Sequence, residues 1–434
     1  MPDCGGARVA SRSIPLTSYQ RRLLVFLSVA TFFEGYDVMA LSQILPNLRA
    51  DLGLSKATGG LLIAGANAGA IAAWWLVRRA DWWGRRRTLA VTIAGYTLFT
   101  FATAFATGAL SFGVLQFLAR AFLLAEWEIS LIYAAEEFPA DRRGLVIGVI
   151  QAFSALGSVL CAVAAPLLLA TSFGWRAVYG VAIVPLVLVA VARRHLRETQ
   201  RFEQQVLATG AARKTAGFFD VLRGPWRGRV WLLGAIWFLS YCCTQNAMVF
   251  WKEFALGERG WSDAQVGTAV SIAAVVSMPL VFLAGKLFDV VGRKRGALLI
   301  YGLTAAAVVG AYSFEGRFAL TAALALGFFG VATIPPLLGA FNTELFPTQL
   351  RADAYAWANN GIGRIAYVLS PVLVGLAAES IGWGAAVRAT AVFPILALVL
   401  IWIGLPETAG RELEETAALE RSALLHPAPG ERTE

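Results

Sequence analysis

The chain has 434 residues, 58% of them hydrophobic and 15% charged, with a mean hydropathy of +0.63. Soluble domains average about 45–50% apolar and about 25% charged residues, so the composition excludes a soluble enzyme or binding domain. The net charge of +9 would suit a nucleic-acid partner, but the basic residues cluster in alternate loops, as membrane topology demands, so no nucleic acid is expected.

Residues Met1 to Gln20 are polar and lack the apolar core of a cleavable signal peptide. About twelve apolar stretches follow, each near the length a helix needs to cross a bilayer. They are 23–45, 58–77, 88–107, 110–135, 145–171, 177–192, 230–255, 264–284, 296–314, 318–341, 354–378 and 384–405. The long polar segment 193–229 divides them. The expected fold class is an all-α membrane protein with twelve transmembrane helices in two six-helix bundles. Its parts are a tail (1–22), a first bundle (23–192), a linker (193–229), a second bundle (230–405) and a tail (406–434).

One set of loops carries Arg21, Arg22, Arg78, Arg79, Arg85 to Arg87, Arg142, Arg143, Arg293 to Arg295 and Arg351. The segment 193–229 adds nine more basic residues, from Arg193 to Arg229. The opposite loops carry single ones, such as Lys56, Arg176, Arg259 and Arg317. The positive-inside rule then puts both termini and the linker in the cytoplasm of a cell with this chain in its inner (plasma) membrane. Cys161, Cys242 and Cys243 lie in apolar stretches and Cys4 in the tail, with no metal-ligand spacing. They are expected to pack as small apolar side chains, with no disulfide, metal or cofactor.

The two halves repeat each other. Asp81-Trp82-Trp83-Gly84-Arg85 recurs as Asp289-Val290-Val291-Gly292-Arg293, an offset of 208 residues (289 − 81). Phe138-Pro139 with Arg143 recurs as Phe346-Pro347 with Arg351, and Gly174-Trp175 as Gly382-Trp383, at the same offset. Half-to-half similarity of this kind marks transporter folds with parallel repeats.

These loops resemble the signatures of the major facilitator superfamily, over nearly the whole chain. The loop G-x-x-x-D-[RK]-x-G-R-[RK] is matched by Gly285 to Lys294, and by Val77 to Arg86 without the leading glycine. Both copies lack the basic residue after the Asp (Trp82, Val290). Glu137 to Gly144 and Glu344 to Arg351 look like the E-x-F-P-x-x-x-R-G loops of sugar and organic-acid porters. Pro406 to Glu415 is similar to the P-E-T-x-G-x-x-L-E-E tail of sugar porters. Asp81, Arg85, Arg143, Asp289, Arg293 and Arg351 are the candidate gating residues, because an Asp at a helix end among arginines can form a charge network that breaks and reforms as the halves rock. The alternative is that the arginines only fix topology.

Charged groups within a span are functional candidates. Glu34 and Asp37 share one face of the first helix. Two close carboxylates in low dielectric do not both stay ionised, which suits a group that loads and releases a proton. Glu34-Gly35-Tyr36-Asp37 resembles the D-G-Y-D stretch of aromatic-acid:proton symporters, and Gly361 to Ala366, around Arg364, resembles their G-x-G-R-x-G. Arg120 lies mid-way along the fourth span. Each arginine either holds an anionic substrate or neutralises a buried acid. Arg120 has Glu34 and Asp37 as partners to hand, whereas Arg364 has no evident acid in its own half. Glu126 and Glu128 replace the glycines usual in those symporters, as a proton relay or as structural pairs.

The offset maps Asp37 onto Gln245, so the seventh span carries Tyr241, Gln245 and Asn246 where the first has acids. Together with Tyr36, Arg120, Asn359, Asn360 and Arg364 they are the candidate substrate contacts, with Trp237, Phe328, Phe329 and Tyr367 as aromatic walls. Pro335-Pro336 is expected to kink the tenth span. His195 and His426 lie outside the spans, which excludes an intramembrane imidazole relay.

No P-loop, zinc-binding or nucleophile-elbow pattern stands in a suitable context, so no enzyme is expected. The resemblance implies a secondary transporter working by alternating access, and a monomer is expected. Proton-coupled uptake of a small organic anion, aromatic or sugar-derived, fits the acids and arginines. A drug or metabolite exporter, a neutral-sugar porter and a transporter-like nutrient sensor are the rival readings.

Overall fold

The computed structural model describes residues 16–184, 197–199, 220–346 and 350–408. The tails 1–15 and 409–434, most of 193–229, and the side chains of Asp81, Arg143 and Asp289 lie outside the described set.

Helix α1 (Ser18–Leu52) begins on a reciprocal cap: Gln20 N–H donates to the Thr17 hydroxyl, and Thr17 N–H donates back to the Gln20 side chain. Ser55 starts α2 (Lys56–Trp83) with a one-way cap, accepting from Thr58 N–H. Then come α3 (Arg85–Thr103), α4 (Ala109–Glu137), α5 (Ala140–Leu169) and the short α6 (Trp175–Gly180). The second half holds α7 (Arg227–Val249), α8 (Trp251–Gly257), α9 (Asp263–Val291), α10 (Arg293–Ala311) and α11 (Arg317–Glu344). It ends with α12 (Arg351–Tyr355), a π-helical stretch (Ala356–Gly363), α13 (Ile365–Ala389) and α14 (Val392–Gly404). Gly84 and Gly292, at φ +88° and +98°, make the same sharp corner between α2 and α3 and between α9 and α10. A side chain is strained at such an angle, which explains why the repeat keeps glycine there.

Nine helices among the described residues are long and apolar enough to cross a membrane. One of them, Asp353–Gly404, contains the last two predicted spans, which part at Gly382 (φ +79°). The sixth predicted span starts in α6 and runs out of the described residues. The third, α3, falls short of the others because it opens on three arginines and carries Thr88, Thr92, Thr97, Thr100 and Thr103. All but one of these hydroxyls donate to carbonyls of their own helix, or to Gly84 at its start, which makes them acceptable in a bilayer. Two predicted spans differ in detail. The seventh is not one helix but breaks at Phe250 into α7 and α8, and the eleventh opens in π-helical rather than α-helical form. Helix α11 passes through Pro335-Pro336 as a single helix.

Packing within the first half depends on two glycines. A Cβ on Gly35 of α1 would lie 1.8 Å from the Ser154 carbonyl oxygen of α5, and one on Gly157 would lie 1.8 Å from that of Phe32. Only glycine permits this approach. It lets the Ser158 hydroxyl donate to the Gly35 carbonyl at 2.8 Å.

The buried apolar side chains form three clusters. One lies at the end where α1 meets α2 and draws on both halves, from Leu41, Ile44 and Ile63 to Phe250, Trp251, Val266 and Trp383. At the opposite, arginine-rich end each half has its own cluster. That of the first half contains Leu27, Ile93, Tyr133 and Ile150, and that of the second contains Ile236, Ile300, Leu337 and Ile401. The halves are therefore joined at one end and separately cored at the other.

Candidate functional site

The α1–α5 approach brings the Ser154 hydroxyl to Glu34 Oε2 at 2.7 Å. One turn on, Asp37 Oδ2 accepts from Thr100 at 3.3 Å, the one α3 threonine that does not donate to a carbonyl of its own helix turn. Asp37 Oδ1 is buried without a partner. Glu126 of α4 is fully buried, with one oxygen accepting from Ser130 at 2.6 Å and the other unpartnered. Three buried carboxyls of the first half thus have hydroxyl donors and, among the described residues, no cation in contact. Arg120 makes no ion pair or hydrogen bond among the described residues, although its charge acts on both Glu34 and Asp37 from a distance. The structural ion pair weighed for Arg120 is not formed.

Glu128 behaves differently from Glu126. Two residues apart on a helix are about 200° apart around it, so the two side chains leave on different faces. Glu126 turns into the first half, close enough for its charge to act on Tyr96. Glu128 turns across to the second half, where its Oε1 lies 3.4 Å from Arg364 Nη2 and 3.5 Å from Asn360 Nδ2. Arg364, without an acid in its own half, thus meets one from the other. Its Nη1 reaches the Ala70 carbonyl of α2 at 3.5 Å.

Around Arg364 stands an aromatic wall. The Tyr241 hydroxyl donates to Asn359 Oδ1 at 2.7 Å, and Asn359 Nδ2 donates to the Tyr355 hydroxyl at 2.8 Å. Tyr241 and Tyr367 have ring centroids 4.5 Å apart, and Trp237 packs on Tyr241 at 5.2 Å. The π-helical turn is what aims Asn359, Asn360 and Arg364 together. Its extra residue per turn is visible in the Arg364 N–H bond to the Asn359 carbonyl, five residues back, at 2.9 Å. Gly363 lets it seat against α7, since a Cβ there would lie 2.7 Å from that of Trp237.

Other predicted contacts are placed elsewhere. Tyr36 donates to the Val178 carbonyl near α6 at 3.2 Å, and Asn246 is buried within the second half, donating to Cys242 and Ser370. Gln245 is partly buried and makes no hydrogen bond among the described residues.

At the arginine-rich end Arg85 pairs with Glu136 (3.1 Å) and Arg293 with Glu344 (3.0 Å), two copies of one contact at the repeat offset. Arg351 Nε donates to the Phe346 carbonyl at 3.0 Å. Sequence reading missed the capping partners. Glu198 accepts from Arg85 N–H (2.8 Å) and Glu407 from Arg293 N–H (2.8 Å). The signal was present: Leu196-Arg197-Glu198-Thr199 at the head of the linker parallels Leu405-Pro406-Glu407-Thr408 at the head of the tail. Also missed were Lys252 and Glu253, a charged pair inside the seventh predicted span, both buried.

Comparison with known proteins agrees with this architecture. The family model described as Major Facilitator Superfamily matches residues 27–251 and 233–429. The gallate transporter of Pseudomonas putida is 27% identical over 403 residues, 85% of this chain and 88% of that one. The cis,cis-muconate transport protein of Acinetobacter baylyi is 27% identical over 388 residues, 85% of this chain and 91% of that one. Among solved structures, the inward-open xylose transporter XylE from E. coli superposes with a TM-score of 0.75 at 19% identity, covering 91% of this chain and 98% of that one. With its sequence and its fold both accounted for in this way, the chain belongs to the major facilitator superfamily, as a multi-span membrane transporter and not an enzyme.

Proposed function

We propose that the protein is a proton-coupled importer of a small organic anion, an aromatic or sugar-derived acid, in the inner membrane. Both termini and the segment 193–229 lie in the cytoplasm, the bundles are 23–192 and 230–405, and the halves rock about a central site. The observation that carries this reading is the division of labour across the midline. The first half buries Glu34, Asp37 and Glu126 among hydroxyls with no cation in contact among the described residues. An ionised carboxylate is costly in such a place, which is what a proton-binding group requires. The second half offers a buried guanidinium, Arg364, beside a tyrosine wall and amides, which suits a ring bearing a carboxylate.

The names of two relatives point the same way, since gallate and cis,cis-muconate are an aromatic acid and an unsaturated dicarboxylic acid. A neutral sugar would offer no charge to the guanidinium of Arg364, although the solved neighbour is a xylose transporter. The test is uptake of labelled organic acids, sugars and lipophilic cations into proteoliposomes, with and without an inward acid gradient, for the native chain and Asp37→Asn. Gradient-driven acid uptake that the substitution abolishes is expected. Gradient-independent sugar flux, or cation extrusion, would overturn the reading.

A further inference from the structure

Arg364 is 8% exposed, permanently charged, and poorly seated. Its five N–H donors find two long contacts among the described residues, Glu128 Oε1 at 3.4 Å and the Ala70 carbonyl at 3.5 Å. A forked guanidinium–carboxylate pair closes to about 2.7–2.9 Å, so Glu128 holds Arg364 without making that pair. Glu128 is the more exposed partner, with 20% of its side chain accessible against 9% for Arg364. Asn360 touches the same Glu128 oxygen at 3.5 Å, and its own Oδ1 is buried with no partner among the described residues. A cation short of a close anion and an amide oxygen short of a donor therefore lie side by side, with the more exposed acid over both.

We propose that Glu128 is a tethered stand-in for the substrate's carboxylate: it covers Arg364 in the empty carrier, and it takes up a proton and withdraws when the substrate anion takes its place. The proposal rests on the organic-anion reading above and extends it to the residue that links anion to proton. Charge conservation supports the exchange. The empty pair is neutral, one guanidinium against one carboxylate. Adding a substrate carboxylate alone would leave one uncompensated negative charge in a low-dielectric site, whereas protonating Glu128 restores neutrality. The charged group facing Glu128 is Arg364, and the polar groups beside it are Asn360 and the Tyr355 phenol. The unpartnered Asn360 Oδ1 is placed to accept a hydrogen bond from a ring hydroxyl.

The test is equilibrium binding of labelled benzoate and gallate, each with a single carboxylate, to the purified chain between about pH 5.5 and pH 8.5, for the native chain, Glu128→Gln and Glu128→Asp. One proton taken up per anion bound weakens the native affinity about tenfold per pH unit once Glu128 is ionised in the empty carrier. Glu128→Gln removes that slope and binds tightly throughout the range, while Glu128→Asp keeps it. Proton uptake by the native chain on ligand addition, read in weak buffer, approaches one per anion and needs no variant. Acid binding with no proton uptake, or a Gln variant that keeps the full slope, overturns this inference alone. A native chain that binds neither acid but binds a sugar overturns the organic-anion reading and this inference with it.

Discussion

Lys252 donates a hydrogen bond to the Gln43 backbone carbonyl of α1 at 2.5 Å, and so ties the second half to the first at the end where their cores merge. The ammonium also donates to Asn47 Oδ1 at 3.1 Å and pairs with Asp263, while Arg49 and Glu253 pair at 2.7 Å beside it. Pro46 removes an amide donor from the α1 ladder in the same turn. A carrier that alternates must release this latch when that end opens.

Lys252→Met keeps the side-chain volume and removes the charge. Lys252 is buried but Asp263 is a third exposed, so the loss falls short of the about 3–5 kcal/mol of a fully buried pair, and the closed end is expected to open more often. Cys161, fully buried in the shared core, reports this. With Cys4, Cys242 and Cys243 changed to serine, its labelling by a membrane-impermeant maleimide should speed up at least about tenfold, the equivalent of roughly 1.4 kcal/mol. An unchanged rate would mean that the apolar cluster alone holds the end shut.

Gly157→Ala tests the α1–α5 contact. The added methyl would overlap the Phe32 carbonyl, and overpacking of this kind costs about 1–3 kcal/mol. The expected outcome is a lower melting temperature in detergent together with impaired gradient-driven uptake, because the same contact delivers Ser154 to Glu34. Ser154→Ala should impair coupling and leave the melting temperature nearly unchanged. Equal loss of stability in both variants would show that Ser154 serves packing rather than Glu34.

Much of this was legible in the chain because bilayers and repeats write strong signals. Span lengths, the arginine clusters and the offset of 208 all follow from local sequence. Glu34, Asp37 and Arg364 stood out as charges inside apolar stretches, where each needs a reason. What was not legible depends on which face a side chain takes and which half it meets. Spacing alone left Glu126 and Glu128 as one motif, yet one turns inward and the other crosses the midline. Asn359, Asn360 and Arg364 were expected together as substrate contacts, but the π-helical turn that aims them leaves no periodicity in a stretch of eight residues and could not be foreseen. Lys252 was hidden by its place near the end of a predicted span, where a lysine is unremarkable because it can reach water.

Tyr241→Phe tests the polar wall. The hydroxyl it removes is the donor to Asn359 Oδ1, and Asn359 is 4% exposed. A buried acceptor left without its donor costs about 1–3 kcal/mol. The Asn359 amide would then turn or loosen, and KM for the transported acid should rise about five- to hundredfold. The pH dependence of uptake should stay as in the native chain, since no proton-binding residue is touched. A shift in that profile with KM unchanged would move Tyr241 from substrate positioning to coupling.

The two capping networks at the arginine-rich end make the last prediction. Glu407 accepts from the N–H groups of Arg293 (2.8 Å) and Lys294 (3.0 Å), at the start of α10. Glu198 accepts from those of Arg85 (2.8 Å) and Arg86 (3.2 Å), at the start of α3. A carboxylate at a helix N-terminus satisfies orphan donors and complements the dipole. The neighbouring threonines complete the parallel, with Thr199 donating to Glu136 at 2.6 Å and Thr408 to Glu344 at 2.5 Å. Among the described residues each network stays within its own half. Glu198→Gln and Glu407→Gln should therefore each cost about 0.5–2 kcal/mol, and the double variant should lose the sum, because the two sites share no described residue and distant sites add. Chemical denaturation of the single and double variants checks this. A shortfall from additivity of more than about 0.5 kcal/mol would show that the networks act across the midline, as a gate rather than as two braces.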